Sequence, residues 1–488
     1  MLRPWKTILT LDLQSGQAVF QQIADGVAAE IRKGRLKPGT PLPGSRILAA
    51  DLGVNRKTVV LAYEQLIDEG WLTTAYKKGT FVSDKLPEVK PVLREPQRAA
   101  IAQPSFTFNA IVAPVAPGHT PATGKQIVFD DGLPDVRLAP MEELARACKR
   151  IFLQKTRWRL MGYGSEKGEE RLRVALAAML AHDRGLSFTA QQICVTRGSQ
   201  MALYLTAHTL LQPGDVVAME DPGYLPAAHM FRQAGATIAP IPLDEQGIQA
   251  GYLEALCQRK KIKAVYVTPH HQFPTTVSMK ADRRLALVAL SNQYGFAIIE
   301  DDYDHEFHFG TRSLLPLASQ EQAANVIYIS SLSKIVAPAL RIGYVTGPQA
   351  FIDALAGLRK ILDRQGDAVM ESAMAELMES GMIRRHTRKA FAIYGERRAQ
   401  MDRCLRQYLQ DKVQYQQPEG GLAFWVAFKG VKDTGPLAAR LLQQGVQVTP
   451  TEPFFMQQPP CGALRLGYAS LTPPEMEAGI KIIAASLV

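Results

Sequence analysis

No run of the 488 residues is long and apolar enough to span a bilayer, and no membrane partner is expected. The opening MLRPWKTILTLDLQSGQ lacks the apolar stretch and small-residue cleavage site of a signal peptide. Cysteine is scarce: Cys148, Cys194, Cys257, Cys404 and Cys461 form no C-x-x-C and no metal-ligand spacing. An odd, scattered set excludes a disulfide framework and reads as reduced thiols, so the expected compartment is the cytoplasm. No internal repeat is visible, which excludes a solenoid. Charge of one sign is not concentrated either. The net charge is +10, but residues 1–85 hold 12 Lys/Arg against 8 Asp/Glu, so charge alone locates no polyanion site.

What is present is a globular composition, 47% hydrophobic and 21% charged, in a chain long enough for two or three domains. Three segments differ in character: 1–83, 84–124 and 125–488. The middle one carries prolines at 87, 91, 96, 104, 114, 117 and 121, a spacing that favours an extended connector. About 40 residues of such chain reach roughly 120 Å when extended. Beyond it, apolar runs (QICVT, VVAME, AVYVTP, FAIIEDD, VIYISS) alternate with helical stretches, the pattern of an α/β domain with a mostly parallel sheet.

In the first segment, Phe20, Ile23, Val27 and Ile31 recur at helical spacing, and Gly34 ends that helix. A short second helix starts at Ser45, taken as its cap, and stops at Gly53. A third begins at Asn55, another good cap, and keeps Val59, Tyr63, Leu66 and Ile67 on one face. Two helices about a tight glycine turn are helix-turn-helix spacing. The following WLTTAYKKGTFVS reads as a β-hairpin wing with a basic tip at Lys77-Lys78-Gly79. Asn55, Arg56, Lys57 and Thr58 then stand where a recognition helix meets the major groove, and Arg46 stands where a side chain touches the backbone. The expected partner is a double-stranded DNA operator.

This run resembles the GntR-type winged helix over residues 18–83. The resemblance implies phosphate contact by Arg46, base-edge contact from Asn55 to Thr58, and minor-groove contact by Lys78 and Gly79. It departs at Val60-Leu61, where relatives often carry an arginine, which implies one contact fewer.

In the third segment, SSLSK ends at Lys334, and FAIIEDDYDHEF lies 33 residues upstream at the end of an apolar run. Arg341 follows the lysine, TRGSQMALYL is a strand-to-helix turn able to hold a phosphate, and LRLGYAS supplies Arg465. These pieces suit pyridoxal phosphate. A desolvated lysine condenses with an aldehyde, and an acid facing the pyridine nitrogen keeps it protonated. Asp301 is taken as that acid, with Asp302 as the alternative register. Tyr303 is placed at the ring hydroxyl and Tyr224 over the ring face. Ser199, Gln200, Ser331, Ser333 and Arg341 are placed around the phosphate, and Arg465 at an effector's carboxylate. His270 and His271 are adjacent and on a strand would point to opposite faces, so no metal site is expected.

From 125 onward the chain resembles a fold-type I aminotransferase. GLPDVRLAP, GYGSEKGEERLR, RGSQMALYL, EDPGYLP, the DDY cluster, SLSK, LRIGY and LRLGY fall in that family's order. The resemblance implies a smaller C-terminal α/β subdomain, Lys334 as the Schiff-base lysine, and Tyr163 reaching the phosphate of a partner subunit in a dimer. Joined to the winged helix, the whole is similar to the MocR/GabR-like regulators. That implies a head-to-tail homodimer and a cofactor used for sensing, alone or with an amine or amino acid that reacts with it. One departure stands out. Where the enzymes carry Asn before a Pro-Thr/Ser-Gly turn, this chain reads HHQFPTT, with Phe273 before the proline and Thr276 in place of glycine. The ring-hydroxyl bond then falls to Gln272, to His271 or to no side chain. The competing reading is an aminotransferase with an accessory DNA-binding arm, in which a half-reaction is still expected.

Overall fold

The computed structural model describes residues 5–12, 15–75, 78–87, 126–155, 157–310 and 314–487. Nearly all of the proline-rich segment, and Lys77 at the wing tip, lie outside the described residues. The chain divides into two compact units, Met1–Asn109 and Ala110–Val488.

In the first unit a short α1 (Trp5–Ile8) precedes α2 (Val19–Arg32), α3 (Ser45–Leu52) and α4 (Arg56–Asp68). Ile23, Val27 and Ile31 bury one stripe of α2 against Val59, Tyr63 and Leu66 of α4, so the spacing of apolar residues becomes the core. Gly53 ends α3 at φ +69, a left-handed turn open to glycine, and lets α4 start at once. Asn55 caps α4 by accepting from the Lys57 amide at 2.9 Å. Ser45 does not cap α3 as expected. Gly44 takes that position, and Ser45 Oγ instead accepts from Arg56 Nε at 3.4 Å. Strands β1 (Leu72–Ala75) and β2 (Gly79–Val82) pair antiparallel from Leu72↔Val82 to Ala75↔Gly79, forming the wing.

The second unit has strands β3 (Ile127–Val128), β4 (Ile193–Thr196), β5 (Val216–Asp221), β6 (Thr237–Asp244), β7 (Gly247–Ile248), β8 (Ala264–Val267), β9 (Ala297–Asp302), β10 (Val326–Ser331) and β11 (Gly343–Thr346). After these come β12 (Val413–Gln414), β13 (Ala423–Phe428), β14 (Val446–Gln447) and β15 (Ala463–Gly467). The main sheet runs β4-β11-β10-β9-β8-β5-β6-β7. The central pairs from β10 to β6 are parallel, while β11 runs antiparallel to both its neighbours and β7 to β6. Helices cover both faces, so β4, β8 and β10 are buried along their whole length and read as unbroken apolar runs. Strand β6 was not legible as one, because Pro240 and Pro242 interrupt its pattern. It tolerates them beside β7, a two-residue edge strand that pairs only with Leu243 and Asp244.

The smaller subdomain packs the antiparallel β12-β13-β15 sheet on helices Met382–Tyr408 and Pro473–Ala485, around Phe424, Leu464, Leu466 and Ile480. The pairing of β3 with β14 ties the start of this unit to its end. No helix among the described residues is long and apolar enough to cross a membrane.

Candidate functional site

The C-terminal ends of parallel strands gather groups that the sheet itself leaves unpaired, and here they surround a cavity of about 110 Å³. Five of the residues expected at a cofactor line it together: Ser199, Tyr224, Asp301, Tyr303 and Lys334. Lys334 follows β10 and donates from Nζ to the Gly132 carbonyl at 2.7 Å.

Asp301 and Asp302 end β9, and strand alternation sends them to opposite faces. Asp301 faces the cavity. Its Oδ2 accepts from the Tyr266 hydroxyl at 2.9 Å, while its Oδ1 is buried with no partner. Burial pushes this carboxyl up to about 7; the Tyr266 bond opposes the rise, and the charges of Asp302 and Asp304 add to it. Asp302 faces the other way. Burial would raise it, but His305, His270 and Arg184 outweigh that and hold it well below the usual carboxylate range.

The helix Gly198–Leu210 starts directly after β4. Gly198 has φ +75, and a Cβ there would stand 2.6 Å from Arg341 Nη2, so only glycine fits. Arg341 Nη2 donates to the Arg197 carbonyl at 3.0 Å, which sets its guanidinium at the helix start beside the free N–H groups of the first turn. Ser199 lines the cavity, and Ser333 Oγ is buried without a partner. Gln200, Ser331, Ser333 and Arg341 do not line the cavity itself. Gln200 is exposed in the first turn and bonds Tyr224, whose hydroxyl burial raises to about 12. Ser331 is buried at the end of β10.

Arg465, on β15, is buried. It donates to the Asp131 carbonyl at 2.8 Å, to the Pro274 carbonyl at 2.7 Å and to the Tyr303 hydroxyl at 3.3 Å, all neutral oxygens. Its guanidinium stacks 4.7 Å over Phe273. Tyr163 is absent from its own chain's cavity: it is 80% exposed, with Arg364 4.5 Å over its ring.

Neither Gln272 nor His271 lines the cavity. The Gln272 amide oxygen accepts from the Thr275 amide and hydroxyl, and its NH₂ donates to the Pro222 carbonyl at 2.9 Å. His271 Nδ1 is hydrogen-bonded to Asp304 Oδ1 at 2.8 Å. Phe273 takes the lining position with a ring that cannot hydrogen-bond. Thr276 holds the turn at φ +64, a left-handed conformation that costs a β-branched residue about 1–3 kcal/mol. The expectation that His270 and His271 point to opposite faces of a strand is wrong, because β8 ends at Val267 and both lie in the loop beyond it. Their ring centroids are 5.1 Å apart.

Sequence reasoning missed Tyr266 and Gly132. The phenol sits inside the apolar run AVYVTP and reads as core packing; its distance of 35 residues from Asp301 hides the bond. Gly132 contributes only a carbonyl, which carries no sequence signal.

In the first unit, Arg46, Asn55, Arg56, Lys57, Lys78 and Gly79 are exposed and Thr58 is half-buried. Arg56, Lys57, Val60 and Leu61 border one shallow hollow on α4. Asn55 uses its side-chain oxygen for the cap, leaving its amide NH₂ for any outside contact.

Two family models match the chain: "Bacterial regulatory proteins, gntR family" over residues 20–82 and "Aminotransferase class I and II" over residues 125–483. The chain is 29% identical to the "Probable rhizopine catabolism regulatory protein MocR" of Rhizobium meliloti, over 99% of this chain and 96% of that one. It is 30% identical to the "HTH-type transcriptional regulator TauR" of Rhodobacter capsulatus, over 97% of each. Among solved structures it resembles LysN, the α-aminoadipate aminotransferase of Thermus thermophilus complexed with N-(5'-phosphopyridoxyl)-L-leucine. That likeness has a TM-score of 0.69 and 26% identity, and covers 75% of this chain and 93% of that one.

Proposed function

The chain belongs to the transcription regulators that join a GntR-type winged helix to an aminotransferase class I and II domain, and on that premise we propose that it binds pyridoxal phosphate and uses it as a sensor. The observation that carries the reading is the pairing of Lys334 with Asp301 in one cavity, the acid holding a buried, unpartnered Oδ1. The residues fit the group. The first turn of Gly198–Leu210, with Ser199, Ser333 and Arg341, supplies donors for a phosphate. Asp301 offers Oδ1 to a ring N–H, while Tyr266 holds the other oxygen. Tyr224 and Phe273, edge to face with centroids 5.3 Å apart, wall the pocket with aromatic surface.

When bound, pyridoxal phosphate supplies an aldehyde for covalent attachment to an amine and an electron-poor ring. Lys334 contributes the amine, and the Gly132 carbonyl orients it. Arg465 donates to the Asp131 and Pro274 carbonyls, and an effector carboxylate would bind it by exchanging one of those bonds. Tyr163 serves the phosphate of a second copy, in a head-to-tail homodimer. The output is operator binding through Arg46, Asn55, Arg56, Lys57 and Thr58, with Lys78 and Gly79 on the wing. An effector shifts that output only by its difference in affinity for the two states of the protein.

An aminotransferase reading is favoured by the same Lys334, Asp301 and Arg465. It is weakened at the ring hydroxyl, where Phe273 lines the cavity, Gln272 is bonded elsewhere and Tyr303 already donates to the His271 carbonyl at 2.8 Å. The test combines an absorbance titration of the purified protein with pyridoxal phosphate and electrophoretic mobility of DNA from upstream of its gene. A lysine-bound cofactor spectrum with cofactor-dependent retention of DNA supports the sensor. Sustained turnover of an amino acid with a keto acid, with no effect on DNA, supports the enzyme.

A further inference from the structure

Histidine is sparse in this chain, at nine residues, yet four of the nine meet in one place. His270 and His271 follow β8, and His305 and His308 follow β9, the next parallel strand. Asp302, at the end of β9 on the face opposite Asp301, bonds His305, and Asp304 just beyond the strand bonds His271. None of these six side chains lines the cofactor pocket.

The cluster has the chemistry of a metal centre. His271 Nδ1 is hydrogen-bonded to Asp304 Oδ1 at 2.8 Å, both side chains being almost fully buried. A carboxylate holding one ring nitrogen orients the ring and presents the other nitrogen to a ligand position, the usual support of a metal-bound histidine. His271 Nε2 lies 3.4 Å from His308 Nδ1. Two nitrogens at 2.0–2.1 Å from a tetrahedral ion stand about 3.4 Å apart, so these two already have the separation such an ion needs. His270 is 2% exposed, and its Nδ1 has no hydrogen-bond partner. One nitrogen from each of His270, His271 and His308 falls within 4.8 Å of the others. Gly420 faces the cluster, and a Cβ there would stand 2.0 Å from His271 Nε2, so the space beside this nitrogen exists only because the residue is glycine.

We propose that His270, His271 and His308 bind a late first-row divalent metal ion of the Zn²⁺ class, with Asp304 as the positioning residue for His271. Imidazole donors select this group of metals over Mg²⁺ or Ca²⁺. A second triad, His270 with Asp302 and His305, is the weaker candidate. Asp302 accepts on Oδ2 from Tyr328 at 2.6 Å and from His305 at 2.9 Å, and although its Oδ1 lies 3.9 Å from His270 Nδ1 without a hydrogen bond, Arg184 stands 3.9 Å from Oδ2, where its charge would repel a dication. Entry is from a cleft of about 840 Å³ on whose wall His305 and His308 lie, and this side also supplies the fourth coordination position.

The test uses the full chain after treatment with a chelator, titrated with Co²⁺ and then Zn²⁺. The expected result is one equivalent per chain, visible bands of a nitrogen-ligated tetrahedral Co²⁺ ion, and their loss on adding Zn²⁺. X-ray absorption at the zinc edge on the unaltered protein should count three imidazoles. His308→Ala should lower affinity by at least ~10-fold and Asp304→Asn by ~10- to 100-fold. His182→Ala, at the cleft mouth, should leave affinity unchanged. Near-UV circular dichroism of the metal-free variants checks their fold, and the zinc-edge count needs no variant. No saturable uptake, a zinc edge without imidazoles, or binding that survives His308→Ala but not His305→Ala would overturn the assignment.

Discussion

Asp301→Asn separates stability from cofactor binding, because the same buried carboxylate acts on them with opposite sign. In the cofactor-free chain its pKa is raised from 3.8 to about 7, so the folded state resists ionising a group that ionises freely when unfolded. Below pH ~4 both states are protonated and nothing is lost. Between ~4 and ~7 the unfolded chain gives up its proton first and stability falls. Above ~7 the loss is complete. Roughly three pKa units at 1.36 kcal/mol each make it about 4 kcal/mol, an upper bound for this one group. Asparagine removes that penalty and still accepts from the Tyr266 hydroxyl. The cofactor-free variant should therefore be the more stable of the two at pH 8, with little difference at pH 4. Its affinity for pyridoxal phosphate should nonetheless drop, because a neutral amide replaces an ionised acceptor for the ring N–H. A hydrogen bond to a charged group contributes about 1.5–3 kcal/mol, or ~10- to 100-fold in Kd. Chemical denaturation at the two pH values measures the first effect, and an absorbance titration the second. Equal stability at pH 8 together with unchanged affinity would refute the placement of Asp301 opposite the ring nitrogen.

The remaining predictions concern the lysine, the helix start and the DNA reader. Lys334→Ala should abolish the absorbance of covalently held cofactor while leaving the near-UV circular dichroism of the fold intact. Gly198→Ala puts a methyl group 2.6 Å from Arg341 Nη2 at φ +75. It should lower the melting temperature by the equivalent of about 1–2 kcal/mol and weaken cofactor binding, with inorganic phosphate competing less well. Arg56→Ala should reduce specific operator affinity by about 1–3 kcal/mol without altering the cofactor spectrum. Wild-type affinity should fall steeply with salt, in proportion to the phosphates contacted, and a flat response would count against DNA contact by this unit.

Much of this was legible because its physics is local or periodic. The buried faces of α2 and α4 follow from residues three and four apart, and the glycine turn at Gly53 and the cap at Asn55 act over two residues. Lys334 and Asp301 stood out because polar groups at the ends of apolar runs have few other reasons to be there. What escaped depends on where the chain goes next. Tyr266 looked like one more core residue of β8 until β9 brought Asp301 beside it. Ser45 looked like a cap because it preceded an apolar stretch, yet Gly44 starts the turn. On a strand, the adjacent His270 and His271 would have opposed side chains. The strand stops three residues earlier, and that single difference brings them together with His305 and His308. The prolines of β6 obscured a strand whose edge neighbour is too short to need their missing N–H groups.

The most direct test of the account is a footprint on the DNA upstream of the gene and its neighbours, with wild-type and Lys334→Ala protein, each with and without pyridoxal phosphate. The account predicts one or two discrete protected sites whose protection changes with the cofactor for the wild type and does not change for the lysine variant. Protection indifferent to the cofactor in both proteins would contradict it, as would no protection in any condition.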